Sequence, residues 1–522
     1  MATVSLGSPE GKWIMTSTIL ASAMAFIDAT ALNVVLPALQ KSLDATGADL
    51  FWILNAYLLI LASLILIGGS LGDKLGRKKI YMIGILIFII GSAVCGFAPD
   101  VHVLIVCRVI QGMGGALMIP GSLSLISSSI HATEKGKAIG TWSAVTTIVT
   151  LGGPIIGGAL ADAGLWRYIF FINVPIGIAA LSILWKKVPE SKEAHPDPVL
   201  DYPGVITIAL GLALLTFGFL RIPAVGFGNW QVLGSLSVGV LLLVMFIVIE
   251  KKSRHPMMPL YLFANRTFSG ANLLTFFLYA GLGSGMLFLS LDLVQAQGYS
   301  QLQSGLTFLP FTLLMISLAR SAGSYADKAG PRSLLIAGPA AAGAGLLILS
   351  FVRQTDGPQA YWTTFFPGIL VLGLGMSFTV APLTTAVMRS VNDEYSGIAS
   401  GVNNAMTRIS NVFANAIFGA LAVLLFAGTL GGKLNGVSLD AAAKKQVIGQ
   451  AVNLGNARAP KDVNGQDKIV VNRAYRESFI DTYVIIMRLA AGLAFLGALM
   501  AVLFIKSPPP AGTGSGGLLT ED

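Results

Sequence analysis

Charge is the first thing this sequence has little of. Only 11% of its 522 residues are Asp, Glu, Lys or Arg, against 54% hydrophobic. A soluble domain carries about 25% charged residues, so water is not the main solvent of this chain, and its mean hydropathy is +0.75. Histidine is scarce too: His102, His131, His195 and His255 all fall in loops or at span ends. There is no HExxH, P-loop or nucleophile elbow. That argues against an enzyme, against a metal or cofactor, and against ATP coupling within this chain. The two cysteines, Cys95 and Cys107, flank the connection "GFAPDVHVLIV". A disulfide there is geometrically conceivable, but two free buried thiols fit better. No cleavable signal peptide is expected, because the first apolar run is too long and lacks a small-residue cleavage site.

Long apolar runs are what the sequence does have. They recur from end to end, each of roughly 20 residues, enough to cross a hydrocarbon core of about 30 Å. The runs are continuous rather than alternating, which excludes a β-barrel. The expected fold is an all-α, polytopic membrane protein. Fourteen spans are read at about 13–39, 50–72, 80–98, 102–124, 137–163, 167–186, 203–221, 230–250, 268–296, 303–325, 332–352, 361–386, 396–428 and 480–506. The 60 glycines suit close helix approach in lipid.

The net charge of +9 does not point to nucleic acid, because the basic residues sit in short loops beside spans. Those loops alternate. "GDKLGRKK", "HATEKGK", "WKKVPESKEAHPDP", "EKKSRHP" and "ADKAGPR" lie on one side; "FAPDVHV", "ADAGLW", "VGFGNW" and "QAQGYSQ" lie on the other. The positive-inside rule makes the first side cytoplasmic and, with an even span count, puts both termini there. A polar outer loop of about fifty residues, 429–478, contains the amphipathic stretch "SLDAAAKKQVIGQAVN" and is either a lid or a tether. The tail 507–522 reads as disordered.

An internal repeat organises the chain. "SLGDKLGRKK" begins at Ser70 and "SYADKAGPR" at Ser324, which aligns Asp73 with Asp327, 254 residues apart. Two six-span halves alone would give an offset of about 190, so the excess fits two inserted helices; repeated halves around a central site mark a transporter. The expected division is an N-terminal six-helix bundle over 1–190, an inserted pair over 191–255, and a C-terminal six-helix bundle over 256–506.

Several polar groups interrupt the oily helices. Asp28 lies about fifteen residues into the first span, roughly 23 Å along its axis. Arg108, counted from the other end of span 4, reaches a comparable depth, so the two could meet. Burial favours the neutral carboxyl and a neighbouring arginine favours the anion, a balance suited to exchanging a proton. Arg108, Gln111, Gly112 and Gly115 share one helix face. In span 13, Asn404, Arg408, Asn411 and Asn415 form a polar stripe that must face a cavity or another helix rather than lipid. In span 9, Asn272, Phe276, Tyr279, Gly283 and Met286 mark an aromatic face, with Asp292 near the outer end. Asn33, Gln111, Phe276, Tyr279, Asp292, Asn404, Arg408 and Asn411 are the candidate cavity residues.

Four motifs give the chain a family resemblance: "GGSLGDKLGRKK" (68–79), "RVIQGMGGALMIP" (108–120), "GGPIIGG" (152–158), and the pair "DATALNVVLP" (28–37) with "WRYIFFINVPIG" (166–177). Together they resemble the major facilitator superfamily, and within it the fourteen-span drug–proton antiporter branch. The resemblance implies a cytoplasmic latch at Gly69, Asp73, Gly76, Arg77 and the repeat's Asp327. It implies an antiporter helix face at Gly153, Pro154, Gly157 and Gly158, although Val149 stands where the family usually has glycine. It ties Asp28 and Arg108 to proton coupling. The expected function is proton-driven export of amphiphilic compounds by a multi-pass monomer of the plasma (inner) membrane, powered by the proton gradient without a cofactor. An anionic amphiphile or a lipid as substrate, and a facilitator or symporter of the same fold, are the alternatives.

Overall fold

The structure is a computed structural model that describes residues 4–131, 134–190, 201–254, 256, 258–391, 396–434, 439–460, 463 and 465–506. The tail expected to be disordered, 507–522, lies outside the described residues. Among the described residues the chain is helical throughout, its only β pairing a single bridge between Val4 and Ile130.

The first group of helices is α1 (Pro9–Ser42), α2 (Gly47–Leu75), α3 (Arg77–Phe97), α4 (Val101–Ser129), α5 (Lys135–Asp162), α6 (Tyr168–Phe171) and α7 (Asn173–Lys187). A hairpin of α8 (Tyr202–Val225) and α9 (Trp230–Lys252) follows. The second group is α10 (Arg266–Gln295), α11 (Gln301–Thr307), α12 (Leu309–Ala329), α13 (Arg332–Leu349), α14 (Phe365–Ser377), α15 (Val380–Arg389), α16 (Ser396–Lys433), α17 (Ala441–Gly449) and α18 (Gly465–Phe504). Their starts carry local caps. Ser8 accepts the Gly11 amide at 3.0 Å with Pro9 in the first turn of α1, and Thr46 with Asp49 forms a capping box on α2.

Among the described residues, thirteen helical stretches are long and apolar enough to cross a bilayer. The expected count of fourteen is not reproduced one for one. The expected fifth span corresponds to α5, in which the described residues give a shorter apolar helix, Ile148–Asp162. Three expected spans are broken helices, and proline explains each break. Pro175, Pro310 and Pro382 cannot donate to the carbonyls of Phe171, Leu306 and Phe378, and α6/α7, α11/α12 and α14/α15 part within a residue or two of those carbonyls.

Lipid tails are as apolar as leucine, so packing rather than hydrophobicity holds these helices together. The hairpin shows it: a methyl added at Gly239 would come within 3.1 Å of the Gly211 carbonyl. Ile208, Leu212 and Phe246 of the hairpin bury against Leu59 of α2 and Val412 of α16, where the two groups meet. Leu241, Val244, Met245, Ile247 and Val248 of α9 stay exposed, as a lipid-facing helix requires.

The connection between α16 and α18 is shorter than expected, because both helices extend beyond the apolar runs. The predicted amphipathic stretch forms α17, capped by Asp440, and a 3₁₀ turn over Gln450–Asn456. This segment packs on both groups. Gln40 of α1 donates to the Asn453 carbonyl (3.1 Å) and accepts from Asn456 (2.8 Å) and from Gln295 of α10 (2.9 Å). It covers the end of the bundle opposite the termini.

Candidate functional site

Asp28 faces α4 inside the first group and is fully buried. The spacing of Arg108 and Gln111, one turn apart, puts both side chains on it. Arg108 Nη1 donates to Asp28 Oδ2, and Gln111 Nε2 donates to Asp28 Oδ1 at 2.8 Å. Arg108 Nη1 also donates to Gln111 Oε1 (2.7 Å), and its Nε to the Ile53 carbonyl of α2 (3.3 Å). The guanidinium lies 4.4 Å from the centroid of the Tyr57 ring.

A second layer orients the first. Gln111 donates to Ser92 Oγ (3.3 Å), Asn173 Nδ2 donates to the same oxygen (2.9 Å), and Ser92 donates to the Phe170 carbonyl (2.8 Å). Six helices, α1, α2, α3, α4, α6 and α7, thus contribute to the network around one carboxyl. Small residues permit it: a methyl at Gly112 would come within 2.8 Å of the Tyr57 carbonyl. A buried ion pair is tolerated only when such additional bonds satisfy its remaining atoms. Tyr57 and Ser92 were not among the expected site residues. Their only sequence signal is a lone hydroxyl in an apolar run. Cys95 and Cys107 are free and buried, and the Cys95 thiol lies 3.8 Å from Gln111 Oε1.

The other expected residues separate into distinct places. Gly76 joins α2 to α3 with φ +112°, a conformation that favours glycine. Glu190 accepts the amides of Lys78 (2.9 Å) and Lys79 (3.1 Å) beside it and so caps α3. Arg77 begins α3. The side chains at Gly69, Asp73 and Asp327 lie outside the described residues.

The small face of α5 packs in two directions. Gly153 and Gly157 press on Thr30 and Ala31 of α1; a methyl at Gly157 would lie 2.8 Å from the Ala31 carbonyl. A methyl at Gly158 would overlap the Gln301 carbonyl of α11, and one at Gly305 would overlap that of Pro154. Backbone therefore meets backbone across the two groups. Just beyond, Asp162 accepts the Gln301 amide (2.7 Å), the Leu302 amide (2.9 Å) and the Ser300 hydroxyl (2.6 Å). Asn33 belongs to the same end, its carbonyl accepting from Ser290 of α10 at 3.3 Å.

The polar stripe of α16 faces α10. Asn411 lies against Gly283, and its amide donates to the Thr407 carbonyl (3.0 Å). Arg408 is half-buried and its Nε has no acceptor; Asn404 is exposed. Phe276 and Tyr279 are half-buried on α10, Phe276 at 6.2 Å edge-to-face with Phe413. Asp292 stands apart from this stripe. It is fully buried, accepts from Gln297 (3.1 Å) through Oδ2, and leaves Oδ1 without a donor. Gln297 in turn bonds Arg353 and Thr355 in the connection after α13.

The family model described as Major Facilitator Superfamily matches residues 18–415. The chain is 28% identical over 488 residues to a tetracenomycin C resistance and export protein of Streptomyces glaucescens, covering 93% of this chain and 90% of that one. It is 30% identical to the multidrug resistance protein Stp of Mycobacterium tuberculosis (strain CDC 1551 / Oshkosh), covering 85% and 82%. Among solved structures, a bacterial homologue of the human lysosomal transporter Spinster, inward-facing and unoccupied, superposes with TM-score 0.64 at 19% identity, covering 97% of this chain and all of that one. The inward-open xylose transporter XylE of E. coli gives 0.58 at 14%, covering 95% and 97%. These two likenesses concern the fold alone.

Proposed function

The chain belongs to the major facilitator superfamily, a multi-pass membrane transporter rather than an enzyme, and on that premise we propose that it exports amphiphilic, drug-like compounds in exchange for protons. It works as a monomer in the plasma (inner) membrane, with both termini in the cytoplasm, and draws on the proton gradient without a cofactor. The names of its relatives, which are resistance and export proteins, support the direction and the substrate class.

The observation that carries the coupling is the buried Asp28–Arg108–Gln111 cluster. In the ionised state both carboxyl oxygens are acceptors. A proton on Asp28 removes the counter-charge of Arg108 and turns one acceptor into a donor, so α1 and α4 must re-pair. Re-pairing between helices is the element that alternating access needs. Protonation from outside then favours substrate release and return to the inward-facing state; proton loss to the cytoplasm resets the cycle.

The test is efflux from proteoliposomes under an imposed pH gradient. Asp28→Asn is expected to lower proton-driven efflux by about 100-fold, the scale of a lost proton-transfer group, while substrate binding persists. Full efflux by Asp28→Asn would overturn the assignment. One observation favours a second reading, an anionic amphiphile or lipid as substrate: among the described residues no carboxylate pairs with Arg408 on the α16 stripe, and its Nε has no acceptor. A substrate panel of both charges separates the two. Reversing the gradient separates export from a facilitator or symporter.

A further inference from the structure

At the end away from the termini, beside the Ser290–Asn33 bond, three further contacts join the two helix groups. Glycines let backbones touch at Gly158 and Gly305. Neutral amides pair Gln40 with Gln295 at 2.9 Å. The third contact is charged: Asp162, the last residue of α5, accepts from Ser300, Gln301 and Leu302 at 2.6–2.9 Å. All three donors belong to the other group. Among the described residues no cation pairs with Asp162.

We propose that Asp162 is a latch of alternating access, a positioning residue whose carboxylate stabilises the state in which this end is closed. The α11 helix does not need it as a cap. Ser300 Oγ already accepts the Gln303 amide (3.2 Å), and Gln303 Oε1 accepts the Ser300 amide (2.9 Å), a complete capping box. The bonds from Asp162 are therefore additional to what folds α11, and they join parts of the chain 138 to 140 residues apart.

Their chemistry suits a latch rather than a permanent seam. Hydrogen bonds to a carboxylate are roughly twice as strong as neutral ones, so this contact favours closure more than Gln40–Gln295 does. Asp162 is exposed, so on opening its oxygens and the freed amides find water at once. The net bias is then modest, of the size that sets a two-state ratio without freezing it. The glycine contacts supply fit and no comparable polarity. Substrate recognition and the proton site do not enter; the inference rests only on the two groups moving relative to each other.

The experiment labels Leu165→Cys and Phe351→Cys, both exposed at this end, with nitroxides and measures their separation by pulsed electron resonance in nanodiscs. The two native cysteines are buried. No substrate and no gradient are used, so the outcome is independent of the Asp28 assignment. The Asp162→Ala and Asp162→Asn variants are expected to raise the ratio of long to short separations about tenfold, the shift that loss of one strong bond allows. Ser300→Ala, which loses one of the three bonds, gives a smaller rise. Gly158→Val serves as a second variant that forces the seam apart. If Gly158→Val lengthens the separation and Asp162→Ala does not, backbone packing alone closes this end and the proposal fails. It also fails if Asp162→Ala lowers thermal stability with the separations unchanged, since the carboxylate would then be an ordinary cap.

Discussion

Asp28 and Asp292 are both fully buried among the spanning helices, and the protein surrounds them differently. Asp28 has a donor on each oxygen, one of them an arginine that is itself bonded to Gln111 and to the Ile53 carbonyl. Asp292 has a single amide donor, from Gln297, and its other oxygen has none. The first group places its carboxylate and its arginine together. The second keeps Asp292 at the Arg353–Thr355 connection and Arg408 on the α16 stripe, with no bond between them. Burial alone therefore does not make a coupling site. A proton arriving at Asp28 alters bonds among several helices, whereas one arriving at Asp292 alters a local contact.

The sharpest way to break this contrast is to remove the cation. Arg108→Ala leaves Asp28 as a buried charge with one amide donor, and loss of about 3–5 kcal/mol is expected, read as a lowered unfolding temperature in detergent. Arg108→Lys should recover only part, because a lysine cannot reach Asp28, Gln111 and the Ile53 carbonyl from one planar group. Equal stability of Arg108→Ala and wild type would put the two carboxyls in the same class.

Asp292→Asn should do far less. It removes a charge with an unsatisfied oxygen, keeps an acceptor for Gln297, and is expected to change stability by less than about 1 kcal/mol in either direction. Proton-driven efflux is expected to stay within about threefold of wild type. Loss of coupling in Asp292→Asn, comparable with that of Asp28→Asn, would show that the unsatisfied carboxyl is also part of the proton path.

The smallest effect comes from a carboxylate outside the bilayer. Glu134 accepts the Leu6 amide at 2.8 Å and holds the N-terminal segment against the end of α4, where Val4 pairs with Ile130. That amide, with help from Ser5, keeps the Glu134 carboxyl below the ordinary glutamate range. A depressed value means that the contact stabilises the folded form above the unfolded pKa of about 4.3 and is lost as pH falls through the lower folded value. Amide exchange at Leu6 should therefore lose protection on acidification, and Glu134→Gln should remove most of that pH dependence. Unchanged protection across this window would count against the contact.

Much of the fold was legible because the bilayer imposes a length. Runs near Ile14, Leu59 or Leu243 had to be helices, since no other conformation satisfies its own backbone in lipid. The meeting of Asp28 and Arg108 followed from counting depth along two antiparallel helices. The interruptions within the spans did not follow so directly. The breaks near Ile172, Phe308 and Phe378 needed the prolines four residues past each lost acceptor. Asp162 was invisible as an inter-group contact, because its partners lie about 140 residues away and nothing local links them.

By itself the sequence determined the class of solvent, the helical fold, the repeat and the pairing of one carboxyl with one arginine. Each of these depends on spacing along the chain, and spacing is a property of sequence. Only the tertiary structure decided that Ser92 and Tyr57 complete the Asp28 site, that Asp292 is stranded, and that Asp162 reaches α11. Those outcomes depend on which faces of distant helices touch, and in lipid that choice is made by close packing between small residues rather than by any pattern of polarity.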